Sequence, residues 1–598
     1  MAEDTLARMF WSRIERSADR PAQQWKRGDR WETITWRGLG ETVRELALGL
    51  IALGREKGDA VALLSASRAE WVQADFAILS AGCVTVPVYP SYPPDLVAYV
   101  VNDSHARTLI VEDAGQLAKA LEALPKMEAL EQVVVITGYD APQPPEKVLT
   151  WEMLRRRGRE REERYKSTLA ERVASTRPED IATIVYTSGT TGPPKGVIQT
   201  HGNHIAALRA LGQATPVEEG WVHLLFLPLA HSFARLESFL GVYHGLTTAF
   251  AENLDKVGEN LKETRPHFIC SVPRVFEKVY AKILAGVEAG SPLKQKIFHW
   301  ALGVGREVSR LQQARRPIPG GLALKRRIAE KLVFSKLHAA LGGRLQWAVS
   351  GGAPLARDIA EFFHAAGILV LEGYGLTETC PALTFNRSDR YRFGSVGQAL
   401  AGVELKIAPD GEILARGPNV ATRGYWKLPE ATREVFEPNG WFHTGDIGHL
   451  DEEGFLFITD RKKDLIVTAG GMNIAPQNIE NLLKADPFIS QVMVYGDRRP
   501  YPVALITVSP DELARFAREH GILTMEPGVL VKDPKVMERV ARTVEEKNTQ
   551  LQSYAKIKKF RVLPVDFTQD GGELTPTLKV KRKVVAEKYR EAIEELYR

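Results

Sequence analysis

The stretch from Tyr186 to Gly196, YTSGTTGPPKG, concentrates residue types that suit the binding of phosphate. Its glycines let backbone N–H groups approach a phosphate closely, its hydroxyl groups donate hydrogen bonds, and Lys195 brings a mobile positive charge. The preceding run IATIV, residues 181–185, is apolar and β-branched, which predicts a buried strand leading into this loop. The pattern therefore predicts a site for a nucleotide triphosphate at the end of a strand.

This loop does not fit the Walker A pattern, which needs Gly-Lys-Ser/Thr, because Lys195 follows Pro194 and precedes Gly196. A solvated linker rich in turn residues is the alternative interpretation of the segment alone. Other segments of the chain must decide between the two.

Length and composition limit the classes of protein that this chain can belong to. Its 598 residues predict roughly three to five structural units, and 44% apolar and 26% charged residues are ordinary for a globular protein. We expect neither a signal peptide nor a transmembrane segment, although a peripheral membrane contact and a homodimer are both compatible with the sequence. The only cysteines, Cys83, Cys270 and Cys380, have neither metal-site nor disulfide spacing, which predicts a reducing compartment, the cytoplasm.

Charge is unevenly distributed along the chain. Of 79 Lys/Arg and 74 Asp/Glu residues, 24 and 19 fall in residues 461–598, which leaves 55 of each in residues 1–460. Either a solvated surface or a domain that meets a polyanionic ligand explains this excess. We expect no nucleic-acid binding, because the excess is small and no array of aromatic and basic residues accompanies it.

Apolar strand-like runs alternate with helical stretches over residues 61–137 and again over residues 201–273, which predicts an α/β fold of doubly wound, mostly parallel sheets. A helix-rich insert covers about 274–341, and residues 394–426 predict a small antiparallel β unit. We place a domain boundary between Asp460 and Arg461. Residues 1–460 then form the large domain, and residues 461–598 form a smaller α+β domain.

Five polar motifs follow apolar strands in one order: TSGTTGPPKG, SGGAPL, GYGLTET, FHTGD and DRKKD. As a set they resemble the AMP-forming acyl-CoA synthetases of the adenylate-forming superfamily, over most of residues 30–590. The run from Asn439 to Pro476, the helical insert and LPLAHSFAR (residues 227–235) are similar to the long-chain fatty acid branch.

The resemblance implies that ATP, Mg²⁺ and CoA take part in a two-step reaction. A fatty acid carboxylate attacks the α-phosphate of ATP to give acyl-AMP and pyrophosphate, and the CoA thiol then displaces AMP. Thr187 and Glu378 match the family's magnesium-binding pair. The nucleotide-binding residues carried over by the motifs are Thr187, Ser188, Gly189, Thr190, Thr191, Gly192, Lys195, Gly351, Gly352, Tyr374, Gly375, Thr377, Asp446 and Arg461.

Within this set, the resemblance implies that Tyr374 stacks on adenine and Asp446 binds the ribose hydroxyls. His231 matches the histidine beside the acyl carboxylate, and Glu378 counts among the catalytic residues. The catalytic lysine aligns with Lys579, with Lys581 as the competitor, because LTPTLKVKRK departs from the usual Ser-Gly-Lys ending.

The resemblance also implies that the C-terminal domain is mobile and rotates about a hinge at Lys463. Gly470 and Gly471 would then face the large domain and leave room for pantetheine. Some long-chain members have a tryptophan four residues after the histidine as a gate to the acyl tunnel, whereas Arg235 occupies that position here.

Three other functions remain open at this point. The acyl group could pass to an acyl carrier protein, the acid could be aromatic or a bile acid, or the protein could be an inactive lipid or nucleotide binder.

Overall fold

The structure is a computed structural model and describes residues 3–139, 145–187, 193–470, 472–524, 526–575 and 579–598. None of the helices in this part of the chain combines the length and apolar content that a membrane crossing requires.

The first two hundred residues contain a seven-stranded sheet and two strands of the sheet that follows. The strand order of the seven-stranded sheet is β7-β6-β5-β3-β4-β8-β9, and all neighbours are parallel except β8 and β9. The elements are α1 (Leu6–Ser17), β1 (Pro21–Arg27), β2 (Arg30–Thr35), α2 (Trp36–Ala52), β3 (Ala60–Leu64), α3 (Ala69–Ser80), β4 (Val84–Val88), α4 (Pro94–Asp103), β5 (Thr108–Val111), α5 (Ala114–Ala123), β6 (Gln132–Val135), β7 (Val148–Thr150), α6 (Trp151–Glu160), α7 (Glu162–Ser175), β8 (Ile181–Thr187) and β9 (Lys195–Thr200).

Both faces of this sheet are covered. Along β3, Val61 and Leu63 belong to one apolar core, whereas Ala62 and Leu64 belong to another on the opposite face. A strand buried on both faces favours a continuous run of apolar residues, which is what VALL provides.

A nine-stranded sheet follows, in the order β16-β15-β14-β13-β12-β10-β11-β1-β2, with parallel strands in the middle and antiparallel strands at both edges. The doubly wound fold predicted from the sequence is therefore confirmed. The elements are α8 (His201–Ala214), β10 (Val222–Leu225), α9 (Ser232–His244), β11 (Thr247–Phe250), α10 (Val257–Thr264), β12 (Phe268–Ser271), α11 (Pro273–Glu288), α12 (Pro292–Gln313), α13 (Gly320–Ala329), α14 (Ser335–Ala340), β13 (Trp347–Ser350), α15 (Arg357–Ala365), β14 (Leu369–Tyr374), β15 (Thr384–Phe385) and β16 (Gln398–Ala399).

The predicted helical insert corresponds to α11–α14, which lie between β12 and β13. A π-helical stretch, Glu330–Phe334, joins α13 to α14. Pro273 and Pro292 occupy first-turn positions of α11 and α12, where a missing N–H costs nothing, and α12 ends shortly before Pro317.

The small antiparallel unit extends further than residues 394–426. It is a four-stranded sheet in the order β17-β18-β19-β20, because the hairpin of β19 and β20 pairs back onto β18 and carries the sheet to Arg461. Its elements are β17 (Glu404–Ile407), β18 (Glu412–Arg416), α16 (Pro429–Val435), β19 (Phe442–Leu450) and β20 (Leu456–Arg461).

The C-terminal segment, residues 461–598, has its own core on both faces of a three-stranded sheet, β23-β24-β25. It is the smaller α+β unit that the sequence predicts. Its elements are β21 (Ile466–Val467), β22 (Asn473–Ile474), α17 (Pro476–Lys484), β23 (Ile489–Tyr495), β24 (Val503–Val508), α18 (Pro510–Glu519), α19 (Pro527–Leu530), α20 (Pro534–Asn548), β25 (Lys559–Leu563), α21 (Arg582–Lys588) and α22 (Arg590–Glu595).

Candidate active site

One cavity of about 1710 Å³ is lined by the carboxyl ends of strands from both large sheets, by β19 and β20, and by the C-terminal segment. It brings together most of the predicted site residues, although they are scattered over nearly 400 positions of the chain. The predicted residues in its wall are Thr187, Lys195, His231, Gly351, Gly352, Tyr374, Gly375, Thr377, Glu378, Asp446, Arg461, Lys463 and Lys579. Ser188, Gly189, Thr190, Thr191, Gly192 and Gly471 lie outside the described residues.

At one end of the site, Asp446 is held by two neighbours. The Tyr374 hydroxyl donates a hydrogen bond to Asp446 Oδ2 at 2.6 Å, and Arg461 Nε lies 2.9 Å from Asp446 Oδ1. Asp446 and Arg461 are paired directly across β19 and β20, so the sheet register sets this contact. Burial, reinforced by the charge of Asp446, raises the pKa of Tyr374, which therefore stays a neutral hydrogen-bond donor.

A second group in the same cavity contains Lys195, Glu378 and a tyrosine that sequence reasoning missed. The Tyr425 hydroxyl donates to Glu378 Oε1 at 2.9 Å, and Lys195 Nζ lies 5.2 Å from the centre of the Tyr425 ring. Burial and the negative charge of Glu378 raise the pKa of Tyr425. Only the short run RGYW marks this tyrosine in the sequence, and that pattern alone does not indicate a partner.

The predicted magnesium pair provides one carboxylate, on Glu378, and one hydroxyl, on Thr187, in the same cavity. Thr187 ends β8 directly opposite Lys195, and its hydroxyl donates to the Lys195 carbonyl at 3.4 Å. Oxygen donors of this kind fit Mg²⁺, which keeps several waters and takes further oxygens from phosphates. Among the described residues no cluster of three or more His, Cys, Asp or Glu side chains could hold a metal.

Lys579 lies in the cavity and interacts electrostatically with Asp446 of β19, Arg461 of β20 and His231. Its side chain keeps solvent-accessible surface inside the cavity, but the surrounding protein partly desolvates it. This desolvation, together with Arg461, lowers the pKa of Lys579 to about 8, although Asp446 acts in the opposite direction. The charge of Lys579 also helps to lower the pKa of His231.

The competitor Lys581 also lines the cavity, but its backbone serves the local fold. Its N–H donates to the Glu573 carbonyl at 2.7 Å, and α21 begins at the next residue. The backbone of Lys579 also makes hydrogen bonds, with Thr575, so what supports Lys579 is its electrostatic interaction with His231 and Asp446, and its catalytic role stays a prediction.

His231 caps the N-terminus of α9, where its Nδ1 accepts a hydrogen bond from the Phe233 N–H at 3.2 Å. Burial lowers the pKa of His231 to about 3, so the ring is neutral at physiological pH. A neutral imidazole fixed in this way can position an acyl carboxylate without adding charge.

A mostly apolar part of the same cavity, which we call the apolar branch, is lined by α9, where Glu237 also borders the cavity. Leu236, Leu240 and His244 line it from one face of the helix, as the spacing of three to four residues requires. The residues of α9 that line the cavity run from Phe233 to His244, about 17 Å along the helix, which suits an extended alkyl chain. Further apolar walls come from Leu211, Val217, Leu246, Phe268, Trp347 and Val349.

Arg235 does not line this cavity. Its guanidinium points into the core, where Nε and Nη2 bind Asp75 at 2.9 and 2.6 Å. The position four residues after His231 therefore cannot gate the acyl branch in this chain. The aromatic ring that does border the cavity near His231 belongs to Phe233.

Two predicted glycines are needed for close packing at the site. A Cβ on Gly351 would lie 3.1 Å from the Phe233 ring, and one on Gly375 would lie 2.3 Å from the Pro381 carbonyl carbon. A larger residue at Gly375 would therefore force the backbone to shift, whereas at Gly351 the Phe233 ring would have to move by a few tenths of an ångström.

The C-terminal segment is held over the cavity by polar contacts with α11 of the insert. Arg274 donates to the Ser490 carbonyl at 2.6 Å and to its hydroxyl at 2.8 Å, and Lys484 lies 3.4 Å from Glu277. This pose places Lys579 in the site, while Gly470 is exposed. Burial lowers the pKa of Lys463, which follows β20 at the predicted hinge.

Fold and site together define an adenylate-forming enzyme, with a nucleotide cavity closed by a smaller C-terminal domain. The chain matches the AMP-binding enzyme family over residues 10–426 and the AMP-binding enzyme C-terminal domain over residues 463–598. It belongs to the AMP-binding enzyme family, and the resemblance to AMP-forming acyl-CoA synthetases is confirmed.

Similar proteins include the long-chain-fatty-acid–CoA ligase FadD15 of Mycobacterium bovis, which is 40% identical over 95% of this chain and 92% of its own length. The long-chain-fatty-acid–CoA ligase ACSBG2 of Xenopus laevis is 34% identical over 99% of this chain and 84% of its own. The crystal structure of the anthranilate CoA ligase AuaEII in complex with anthranoyl-AMP shares the fold, with a TM-score of 0.74, 20% identity and coverage of 99% and 98%.

Proposed function

We propose that this protein is a long-chain fatty acid–CoA ligase that uses Mg-ATP and CoA. The observation that carries the proposal is the shared cavity, in which a polar nucleotide site opens into an apolar branch along α9. The two curated ligases described above support the substrate class. A long apolar branch also favours an alkyl chain over an aromatic or bile acid.

In the first step, a carboxylate oxygen bonds to the α-phosphorus of ATP, and the bond to the β-phosphate oxygen breaks to release pyrophosphate. Lys579, mainly protonated below pH 8, would offset the negative charge that gathers on the carboxylate and α-phosphate. Asp446 would bind the ribose hydroxyls, with Tyr374 and Arg461 fixing its carboxylate.

Glu378 and Thr187 would hold Mg²⁺, which would draw charge from the phosphate oxygens. The Tyr425 hydroxyl keeps one Glu378 oxygen in place. Lys195 would bind the β- and γ-phosphates together with the loop from Ser188 to Gly192.

In the second step the CoA thiol forms a bond to the acyl carbonyl carbon, and AMP leaves. We propose that the C-terminal domain, residues 461–598, rotates about Lys463 before this step, because Lys579 occupies the cavity in the present pose. Gly470 and Gly471 would then face the large domain. We also propose a cytoplasmic location, which the free state of Cys83, Cys270 and Cys380 supports.

The test is an assay of the purified protein with Mg-ATP and a panel of fatty acids, with and without CoA. We expect release of AMP and pyrophosphate that depends on the acid, and acyl-CoA only when CoA is present. Release of ADP would contradict the mechanism. The same assay is repeated with competing substrates: aryl acids, bile acids, and a phosphopantetheinylated carrier protein in place of CoA. A preference for any of them would overturn this assignment.

A further inference from the structure

The outer surface of the helical insert combines apolar and basic side chains. Leu324, Ile328 and Leu332, which we call the apolar stripe, follow one another at four-residue spacing and are 59%, 44% and 48% exposed. Residues at this spacing share a helix face. On α12, which packs beside α13, Leu293 and Trp300 are also exposed.

The stripe is not needed for packing within the chain. The opposite side of this helical stretch, through Leu322, Ala329 and Phe334, forms a small core with α12. Among the described residues nothing covers the stripe. Exposed apolar side chains of this kind are unfavourable in water unless another surface contacts them.

The charge around the stripe indicates what that surface is. Residues 292–340 contain eleven lysines and arginines but only two acids, Glu307 and Glu330. Lys325, Arg327 and Lys331 are exposed beside the stripe. The equal numbers of acids and bases in residues 1–460 conceal this local excess of nine positive charges.

We propose that the outer face of α13 and the π-helical stretch that follows it docks on an anionic lipid bilayer. Apolar side chains would enter the region between headgroups and acyl chains, while the flanking lysines and arginines meet the lipid phosphates. A second copy of the chain is a poorer occupant, because two surfaces with this excess charge would repel each other. Docking would also bring the enzyme to the place where long alkyl acids accumulate.

The test uses the full-length protein without ATP or fatty acid, so that its result does not depend on the ligase assignment. Sedimentation with phosphatidylglycerol/phosphatidylcholine vesicles should show binding that weakens as salt rises, and vesicles of phosphatidylcholine alone should bind far less. The triple variant Leu324→Ser, Ile328→Ser, Leu332→Ser should bind roughly tenfold more weakly or worse. Lys325→Glu with Lys331→Glu should lose a similar factor.

Matched controls are Leu523→Ser, at a fully exposed leucine, and Lys532→Glu, at an exposed lysine, both in the C-terminal domain. Both controls should bind like the wild type, and all variants should share its thermal unfolding. Equal binding to both kinds of vesicle, or no loss in the triple and double variants, would overturn the proposal. The membrane proposal would also be overturned if the wild type does not bind vesicles but self-associates, and the triple variant does not. A second copy of the chain would then be the occupant of the stripe.

Discussion

Arg235 and Asp75 form a buried ion pair that holds α9 against α3, and its removal gives a strong test of the fold. Two guanidinium nitrogens of Arg235 bind the two oxygens of Asp75 at 2.6 and 2.9 Å, and the Thr85 hydroxyl donates to Asp75 at 2.7 Å. The Phe239 ring centre lies 5.1 Å from the guanidinium carbon. We predict that Asp75→Asn lowers the free energy of unfolding by about 3–5 kcal/mol, because it leaves a buried guanidinium without its counter-charge.

The size of the effect depends on what remains after the substitution. Arg235→Met should be similarly costly, because it leaves the Asp75 carboxylate buried with only Thr85 as a donor. The double variant Asp75→Leu, Arg235→Met removes both charges and fills the space with apolar atoms. Its unfolding free energy should fall within about 1–2 kcal/mol of the wild type, the remaining loss coming from the unpaired Thr85 hydroxyl.

The assay has two parts. Urea unfolding of the wild type, Asp75→Leu, Arg235→Met and the double variant gives the interaction energy of the pair as a double-mutant cycle, and Asp75→Asn is measured beside them. Pyrophosphate release with acids of increasing length gives the chain-length profile, which Arg235→Met should leave unchanged. Leu240→Trp, on the cavity face of the same helix, is the control that should change it. An Arg235→Met protein with wild-type stability and an altered profile would refute this description of α9.

The remaining predictions concern the reaction. Lys579→Ala should reduce the rate of acid-dependent pyrophosphate release by two orders of magnitude or more, whereas the rate of Lys581→Ala should stay within a few-fold of the wild type. Quenched-flow measurement of the first step compares the two variants. Since the cation is the active form of Lys579 and its pKa is about 8, this step should slow as pH rises through 8, and a pH profile that rises there instead would contradict its role. Glu378→Gln should raise the Mg²⁺ concentration needed for half-maximal rate at least tenfold, and an unchanged requirement would remove Glu378 from the metal site. Charge reversal at Lys484 or Glu277 should slow the first step up to about fivefold, and the exchanged pair should restore it; equal losses in all three variants would argue against this contact.

Much of the fold could be predicted from local pattern. The run VALL and the helix starting at Pro94 lie where hydrophobic periodicity and proline position put them, and the alternation of strands and helices predicted parallel sheets. The convergence of Thr187, Gly351 and Tyr374 followed from the rule that ligands bind at the carboxyl ends of such strands.

Contacts between distant residues could not be predicted in the same way. Arg235 binds Asp75, which lies 160 positions earlier in the chain, and the sequence around neither residue indicates that they are partners. The hydrogen bond between Tyr425 and Glu378 could not be predicted for the same reason. Net charge was misleading at the insert, because acids elsewhere in the large domain cancel its basic excess in any sum over residues 1–460.

The weakness of the contacts between α11 and the C-terminal domain is itself informative. They are polar and few, as in the 3.4 Å approach of Lys484 to the buried Glu277 and the hydrogen bonds of Arg274 to Ser490. A polar contact that replaces bonds to water contributes about 0.5–1.5 kcal/mol, so a few of them favour one pose of a domain only slightly. A substrate that binds the rotated pose better by a few kcal/mol can therefore reverse the balance. In the proposed mechanism CoA would have this differential affinity, because its thiol would need the space that Lys579 occupies in this pose.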